Sequence, residues 1–273
     1  MIYHLKNTRL SIEKFVYEKG TNVALYNVEH SKKYKSFQKA VERSLMGQIK
    51  YIADYKDTLP LLMSLAKAAS EPLINQVSVL LAQVSLGNDI DLKAYLVWAG
   101  TQGGQAGLDK LGIDGIFGLK NEALINYFGN YSNLLIDQVD DYTKKWIANK
   151  IQEGKDQGKT PFEIQQSLID DGKSITAIRA ERIVLTETAK AMTKIELEVA
   201  QRTNIKRKIW RTSRDERVCP ICGDGGLADR EVGILESFVG GYEGPPAHVS
   251  CRCYLEEVIP EGWVIPEKVW LGT

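Results

Sequence analysis

The chain has 273 residues, of which 44% are hydrophobic and 26% charged, a composition typical of one large globular domain or two ordinary ones. Its 35 basic and 35 acidic side chains balance, which excludes a protein that coats nucleic acid along its whole length. No apolar run is long enough to cross a bilayer, and Met1 to Lys6 lack the features of a signal peptide. We therefore expect a protein that is made and folded in a cytoplasm and has no membrane partner.

Most of the chain up to about residue 201 carries the periodicity of amphipathic helices. Apolar side chains recur every three or four residues in two stretches, and the second follows Ser70, Glu71 and Pro72, where an early proline favours a helix start. The two apolar stripes are Phe37, Val41, Leu45 and Ile49, and Leu73, Val77, Leu81 and Val84. Each stripe needs an apolar partner, which is either the other stripe or a second protein.

A glycine-rich segment follows these helices. Asp91 to Trp98 predicts a short helix, and Gly100, Gly103, Gly104 and Gly107 come directly after it. Because each glycine inside a helix costs roughly 0.5–1 kcal/mol relative to alanine, this segment predicts a loop or hinge. It lacks the Lys-Ser/Thr pair of a phosphate-binding loop, so a connector is favoured over a phosphate site.

Helical signals resume after Gly118 and predict a helix over Thr143–Gln157. Thr160, Pro161 and Glu163 then form a capping box, in which the threonine hydroxyl and the glutamate carboxylate each bind a backbone N–H of the first turn.

This capped helix is predicted to be short. Asp171-Gly172 predicts its end, and Ser174 can cap a further helix that reaches about Gln201. The apolar face of that further helix is predicted to consist of Ile178, Leu185, Ala189, Met192 and Val199.

The pattern changes from helix to strand after Asn204. Lys206–Thr212 carries no helical stripe, Gly223–Pro246 is dense in glycine and proline, and Arg252–Ile259 alternates like a strand. The fold class we predict is α+β and mostly helical, with a helical body followed by a small β and loop module. Such a module buries little core and needs an additional crosslink.

All four cysteines lie in this module. Cys219 and Cys222 form a C-x-x-C pair, and His248, Cys251 and Cys253 follow within one short segment. Disulfides do not persist in a reducing cytoplasm, whereas zinc prefers four thiolate or imidazole ligands in a tetrahedron. The spacing therefore predicts a structural zinc site that crosslinks the module.

Five candidate ligands compete for four positions. C-x-x-C and H-x-x-C both form compact chelating turns, which favours Cys219, Cys222, His248 and Cys251, with Cys253 in reserve. The main alternative is an all-cysteine site without His248. Free thiols or a thioredoxin-like redox pair are less favoured, because the strand-then-helix setting of that pair is missing. With five protein ligands available we expect a closed, structural site and no enzyme activity.

A run of basic residues precedes the first cysteine pair. It could lie along a phosphate backbone, with Trp210 available for stacking. The alternative is a solvated strand face that pairs with acids of the module, and the neutral total charge favours it. The candidate DNA contacts are Lys206, Arg207, Lys208, Arg211 and Arg214.

Together these residues resemble a known family, the C-terminal domain of the Mu F-like phage minor head proteins. The resemblance covers roughly residues 140–258, and no motif of the first 120 residues contributes to it. Its most specific part is the stretch from Cys219 to Cys253. The matching positions are Trp146-Ile147-Ala148, Gly154, Gly158, Thr160-Pro161, Arg182, Thr186-Glu187-Thr188, Trp210-Arg211-Thr212, Asp215 to Cys222, and Pro245 to Cys253.

The resemblance implies a structural minor head protein of a tailed bacteriophage. It implies a place at the portal vertex of the virion, after assembly in the host cytoplasm, and a role in head assembly and in DNA packaging or ejection. The implied partners are the portal protein, other capsid proteins and, as a further candidate, DNA. The expected division is a variable helical region over 1–115, a helical part of the family domain over 116–201, a zinc-binding module over 202–260 and a tail over 261–273.

The alternative is a zinc-containing DNA-binding or nuclease-like protein. A nuclease would need a general base beside the metal, and His248 is the only histidine outside the first thirty residues. An imidazole that binds zinc cannot also act as that base, so the alternative is less favoured.

Overall fold

A computed structural model of the chain describes residues 23–54, 58–66, 71–223 and 226–266. The helix-start residue Ser70, the N-terminal Met1 to Lys6 and residues 267–273 of the predicted tail lie outside the described residues.

The described residues form a mostly helical α+β fold, as the sequence predicts. The helices are α1 (Val23–Glu29), α2 (Lys32–Asp54), α3 (Thr58–Leu65), α4 (Glu71–Leu81), a 3-10 turn (Ala82–Val84), α5 (Leu86–Asp89), α6 (Leu92–Lys110), α7 (Glu122–Asp156) and α8 (Pro161–Arg202). The strands β1 (Arg207–Arg211), β2 (Glu231–Gly233) and β3 (Tyr254–Val258) form one antiparallel sheet in the order β2-β1-β3. Among the described helices, none is both long and apolar enough to span a bilayer.

Contacts group the chain into two compact units. The first, called here the helical unit, consists of residues 35–93 and 129–184. The second, called the mixed unit, contains 94–128 and the described parts of 1–34 and 185–273, and so includes the whole sheet. The four-part division of the chain by role stays a prediction.

The two apolar stripes share one core in the helical unit. Ile49 of α2 packs in a single buried cluster with Leu73, Val77 and Leu81 of α4 and with Ile147 of α7. Each of these side chains is at most 3% exposed, and burial of such a side chain contributes about 1.5–3 kcal/mol. Residues of both stripes therefore find apolar partners within this chain.

The glycine-rich segment is helical, so the predicted loop was wrong. Helix α6 runs without a break from Leu92 to Lys110. A Cβ atom at Gly103 would lie 2.2 Å from the carbonyl oxygen of Met192, and one at Gly107 would lie 3.3 Å from Val199. Both partners belong to α8 in the same unit. The glycines let two helix backbones approach closely, and this packing offsets their low helix propensity.

Helix α8 is also longer than predicted, because the break at Asp171-Gly172 is absent. Gly172 lies inside the helix, where an added Cβ would contact Ile49 at 3.2 Å. This glycine therefore serves helix packing in the helical unit. Ser174 is an interior residue of α8 and caps no helix.

The start of α8 follows the predicted capping box. The backbone N–H of Thr160 donates to Glu163 Oε2 at 2.8 Å, and the N–H of Glu163 donates back to Thr160 Oγ1 at 3.3 Å. The predicted apolar face is correct for Ala189, Met192 and Val199, which are buried. Leu185 is half-buried, and the prediction is wrong for Ile178, which is 48% exposed.

The sheet is attached to α6 and α8 within the mixed unit. Lys110, the last residue of α6, pairs with Glu196 of α8 and donates to the backbone carbonyl of Leu255 on β3 at 2.9 Å. After the sheet, the Trp263 indole N–H donates to the carbonyl of Thr203 at 2.9 Å. These contacts hold the module against the ends of two helices.

Candidate metal centre

The sheet brings the two cysteine-bearing segments together. Strand β1 pairs with β3 along five residues, with Trp210 opposite Leu255. Cys219 and Cys222 follow β1 on a turn, and Cys253 directly precedes β3. Because antiparallel pairing sets the register of β1 and β3, both segments emerge at the same end of the sheet.

The first ligand loop is a tight turn around the C-x-x-C pair. The carbonyl of Cys219 accepts the N–H groups of Cys222 at 3.1 Å and Gly223 at 2.8 Å. Cys222 is buried and Cys219 is half-buried. The turn therefore directs both thiols toward one point, as a chelating C-x-x-C turn requires.

The second ligand loop, from His248 to Cys251, is held partly by helix α8. The N–H of Cys251 donates to the carbonyl of His248 at 3.2 Å. Ser250 has a φ of 61°, in the left-handed region, and its N–H donates to Thr186 Oγ1 on α8 at 3.2 Å. This hydrogen bond to the helix supports a backbone conformation that serine rarely adopts.

The side chains of the two loops approach at distances close to those of a tetrahedral zinc site. His248 Nε2 lies 3.1 Å from Cys219 Sγ and 3.3 Å from Cys222 Sγ, and Cys222 Sγ lies 3.7 Å from Cys251 Sγ. Zinc–ligand bond lengths give tetrahedral edges of about 3.5 Å between nitrogen and sulfur and about 3.8 Å between sulfurs. The donor set and its spacing therefore fit a zinc ion.

The five candidate ligands form two overlapping triads in the described chain. Cys219, Cys222 and His248 present ligand atoms within 4.8 Å of one another, and so do Cys222, Cys251 and Cys253. Cys222 belongs to both triads. An ion bound by either group would therefore use the Cys222 thiolate, and this cluster could hold a metal ion.

The His248 ring is oriented for ligation through Nε2. Its Nδ1 lies 2.9 Å from the carbonyl oxygen of Val249, which can only accept a hydrogen bond. In the neutral imidazole this contact favours the tautomer with the proton on Nδ1, and Nε2 then faces the thiols of Cys219 and Cys222 with its lone pair. A metal-binding histidine commonly donates its other N–H to a backbone carbonyl in this way.

The cysteine pKa values differ within the cluster. A hydrogen bond from Cys253 stabilises the Cys251 thiolate and lowers its pKa to about 5, and the same bond raises the pKa of the Cys253 thiol. Burial raises the pKa of Cys222 to about 12. At neutral pH without metal, Cys222 and Cys253 are therefore protonated. A bound metal must displace these protons, so its affinity falls as the pH falls.

The sequence reasoning missed one ion pair that joins the two loops. Asp215, named from the sequence only as part of the family-matching stretch, is half-buried and accepts two hydrogen bonds of 2.6 Å from the guanidinium of Arg252. The sequence shows that the carboxylate lies near a turn, but nothing in it identifies a partner 37 positions away. Thr186 was noted only as part of the family motif, and its contact with Ser250 was not predicted.

The basic residues before the first loop are mostly engaged with the module itself. Lys208 is 2% exposed and donates to the carbonyl of Glu243 at 2.7 Å. Arg211 binds Glu256 at 2.6 Å and also pairs with Asp229.

The remaining cations of the run lie on the surface. Arg207 pairs with Glu231, Arg214 pairs with Asp229 at 3.2 Å, and Lys206 is exposed. A DNA contact by the run stays a prediction, and a gel-shift series at rising salt concentration would test it.

Comparison with known families agrees with the motif analysis. Residues 145–256 match the family model described as Phage Mu protein F like protein, which confirms the resemblance stated from the sequence. The matched region contains the end of α7, all of α8, both ligand loops and most of β3. No curated protein and no solved structure matches the chain.

Proposed function

We propose, from the match of residues 145–256 to the Mu F-like family, that this chain is a structural minor head protein of a tailed bacteriophage. It joins the virion near the portal vertex and acts in head assembly and in DNA packaging or ejection. Its partners are the portal protein and other capsid proteins. The role is structural and not catalytic.

The main support for the proposal is that the most specific segment of the family resemblance forms the candidate metal centre. The two ligand loops lie inside the matched region, and their ligand atoms converge on Cys222. A small sheet that buries little core is stabilised when distant loops are crosslinked. We therefore propose zinc as a structural ion of this module.

The residues of the cluster have distinct parts in holding such an ion. Cys219, Cys222, His248 and Cys251 are the ligands that we assign. Cys253 is buried, and its thiol lies within 4.8 Å of those of Cys222 and Cys251, so it is the reserve ligand. Zinc, when bound, supplies the crosslink between the loops that the small sheet does not provide.

Protein purified without chelator is expected to contain close to one zinc per chain. The reason is that one cluster of converging thiols and imidazole accommodates one tetrahedral ion. Elemental analysis by mass spectrometry, normalised to protein concentration, measures this ratio. Protein treated with a chelator at pH 5 is the control, because protonation of the thiols should release the metal. A ratio near zero in untreated protein would refute the zinc assignment.

Purified particles are expected to contain this chain in a few copies, located at one vertex. Quantitative mass spectrometry against the major capsid protein measures the copy number, and gold-labelled antibody on intact heads locates it. A matched control is the same analysis of heads assembled without the portal protein, from which the chain should be absent. If the chain is absent from complete particles, or equally abundant at all vertices, the assignment to the portal vertex fails.

A further inference from the structure

Asp215 and Arg252 lie on opposite sides of the candidate metal centre in the sequence. Asp215 precedes Cys219 by four positions, at the entrance to the first ligand loop. Arg252 stands between Cys251 and Cys253, at the exit of the second loop. Any strong bond between these two side chains therefore links both ligand-bearing segments.

The geometry of this link is that of a bidentate ion pair. Arg252 Nη1 donates to Asp215 Oδ2 and Nη2 donates to Oδ1, both at 2.6 Å. The side chains are 33% and 29% exposed, respectively, so solvent screens the pair only in part. Two parallel hydrogen bonds fix the relative orientation of the two planar groups, which a single contact would not do.

The carboxylate is also fixed to its own loop. Asp215 Oδ1 accepts the backbone N–H of Arg217 at 3.1 Å and the hydroxyl of Ser213 at 3.4 Å. Arg217 offers a second guanidinium, but it is 72% exposed and 3.8 Å away. The turn that leads into Cys219 is thus held by Asp215, and Arg252 ties that turn to the second loop.

Among the described residues, Asp215 and Arg252 form an ion pair that joins the two loops without metal. Metal binding displaces the thiol protons, and the thiolates that then face one another repel unless the ion lies between them. A bond that needs no metal can hold the loops in place during that step. It lowers the entropy that metal binding must remove, and so raises metal affinity.

We propose that the Asp215–Arg252 pair is a latch that preorganises the two ligand loops before metal binds. Asp215 is then a positioning residue of the metal centre, although it contacts no ligand atom. The inference rests on the proposed metal centre. It explains how ligand-bearing segments about thirty residues apart in the chain are held together before metal binds.

The test compares zinc affinity in full-length variants by competition with a chromophoric chelator. Asp215→Asn is expected to weaken zinc binding by about 10–100-fold, the usual effect of losing a residue that supports metal ligands. The stoichiometry and the absorption spectrum of bound Co²⁺ should stay unchanged, because the ligands are the same. Arg252→Gln should show the same loss, and the double variant should lose little more.

Glu231→Gln is the matched control. It breaks the Arg207–Glu231 pair on the same sheet, whose glutamate is 39% exposed, but that pair joins no ligand loop. Its zinc affinity should equal that of the unchanged chain. Arg252→Lys keeps the charge but loses the bidentate geometry, so an intermediate loss of zinc affinity is expected. If Asp215→Asn does not fold, Arg252→Lys replaces it in the test.

Thiol labelling in the metal-free protein gives a second, independent measurement. Loss of the latch should speed the reaction of Cys219 and Cys222 with an alkylating reagent. Equal affinity and equal labelling rates in Asp215→Asn and the unchanged chain would overturn the latch while leaving the metal centre intact. Failure of the unchanged chain to bind zinc or Co²⁺ would overturn the metal centre, and the latch with it.

Discussion

Cys222→Ser is expected to abolish zinc binding and to unfold the module while most of the helical signal remains. Cys222 belongs to both ligand triads and is 1% exposed, so its loss removes a ligand from either arrangement. Structural zinc contributes on the order of 10 kcal/mol to the folding of small modules, which exceeds the margin of a three-stranded sheet. Zinc content, far-ultraviolet circular dichroism and the fluorescence of the buried Trp210 measure the three effects.

Two further variants distinguish whether His248 or Cys253 is the fourth ligand. His248→Ala should lose most of the affinity, because His248 Nε2 faces two thiols. Cys253→Ser should retain metal, since Cys253 is not among the four assigned ligands. The opposite result, with His248→Ala binding normally and Cys253→Ser not, would establish an all-cysteine site and leave His248 free for other chemistry. Normal zinc content in Cys222→Ser would refute both ligand sets.

Gly103→Ala is expected to destabilise the protein by about 2 kcal/mol or more, although alanine is the better helix former. The added methyl would lie 2.2 Å from the carbonyl oxygen of Met192, so the backbones of α6 and α8 must separate. Packing around this approach, including Ile195 and Val199, is then lost in part. Thermal unfolding of the full chain followed by circular dichroism measures the change.

Gly47→Ala is the control for helix propensity. Gly47 also lies inside a helix, but an added Cβ there has no atom within 4 Å. This change should leave stability unchanged or raise it by about 0.5–1 kcal/mol. If Gly103→Ala behaves like Gly47→Ala, the two helices do not approach as closely as described, and the glycine segment needs another explanation.

The features that the sequence determined by itself are those built from near neighbours in the chain. The capping box at Thr160 and Glu163 joins atoms three positions apart, so residue type and spacing are sufficient to predict it. The C-x-x-C turn at Cys219 and Cys222 is local in the same sense. The convergence of both cysteine groups was also predictable, because soft ligands clustered in one segment suit one tetrahedral ion.

The tertiary structure decided every feature that depends on a distant partner. The glycines of α6 have low helix propensity, and only the close backbone of α8 explains why the helix continues through them. The same holds for Gly172, which the sequence places at a helix end and the structure places against Ile49. Propensity describes an isolated segment, and burial against a second element outweighs it.

The interaction partners of the charged residues could likewise be identified only from the tertiary structure. Lys208 has the sequence context of a cation available to phosphate, yet the sheet buries it against the carbonyl of Glu243. Asp215 has the context of a solvated turn, yet β3 brings Arg252 to it. The sequence therefore determined which chemical groups this protein carries. Only the tertiary structure decided which of them are engaged, because a charge in a protein acts mainly through the few groups that the fold places within a few ångströms of it.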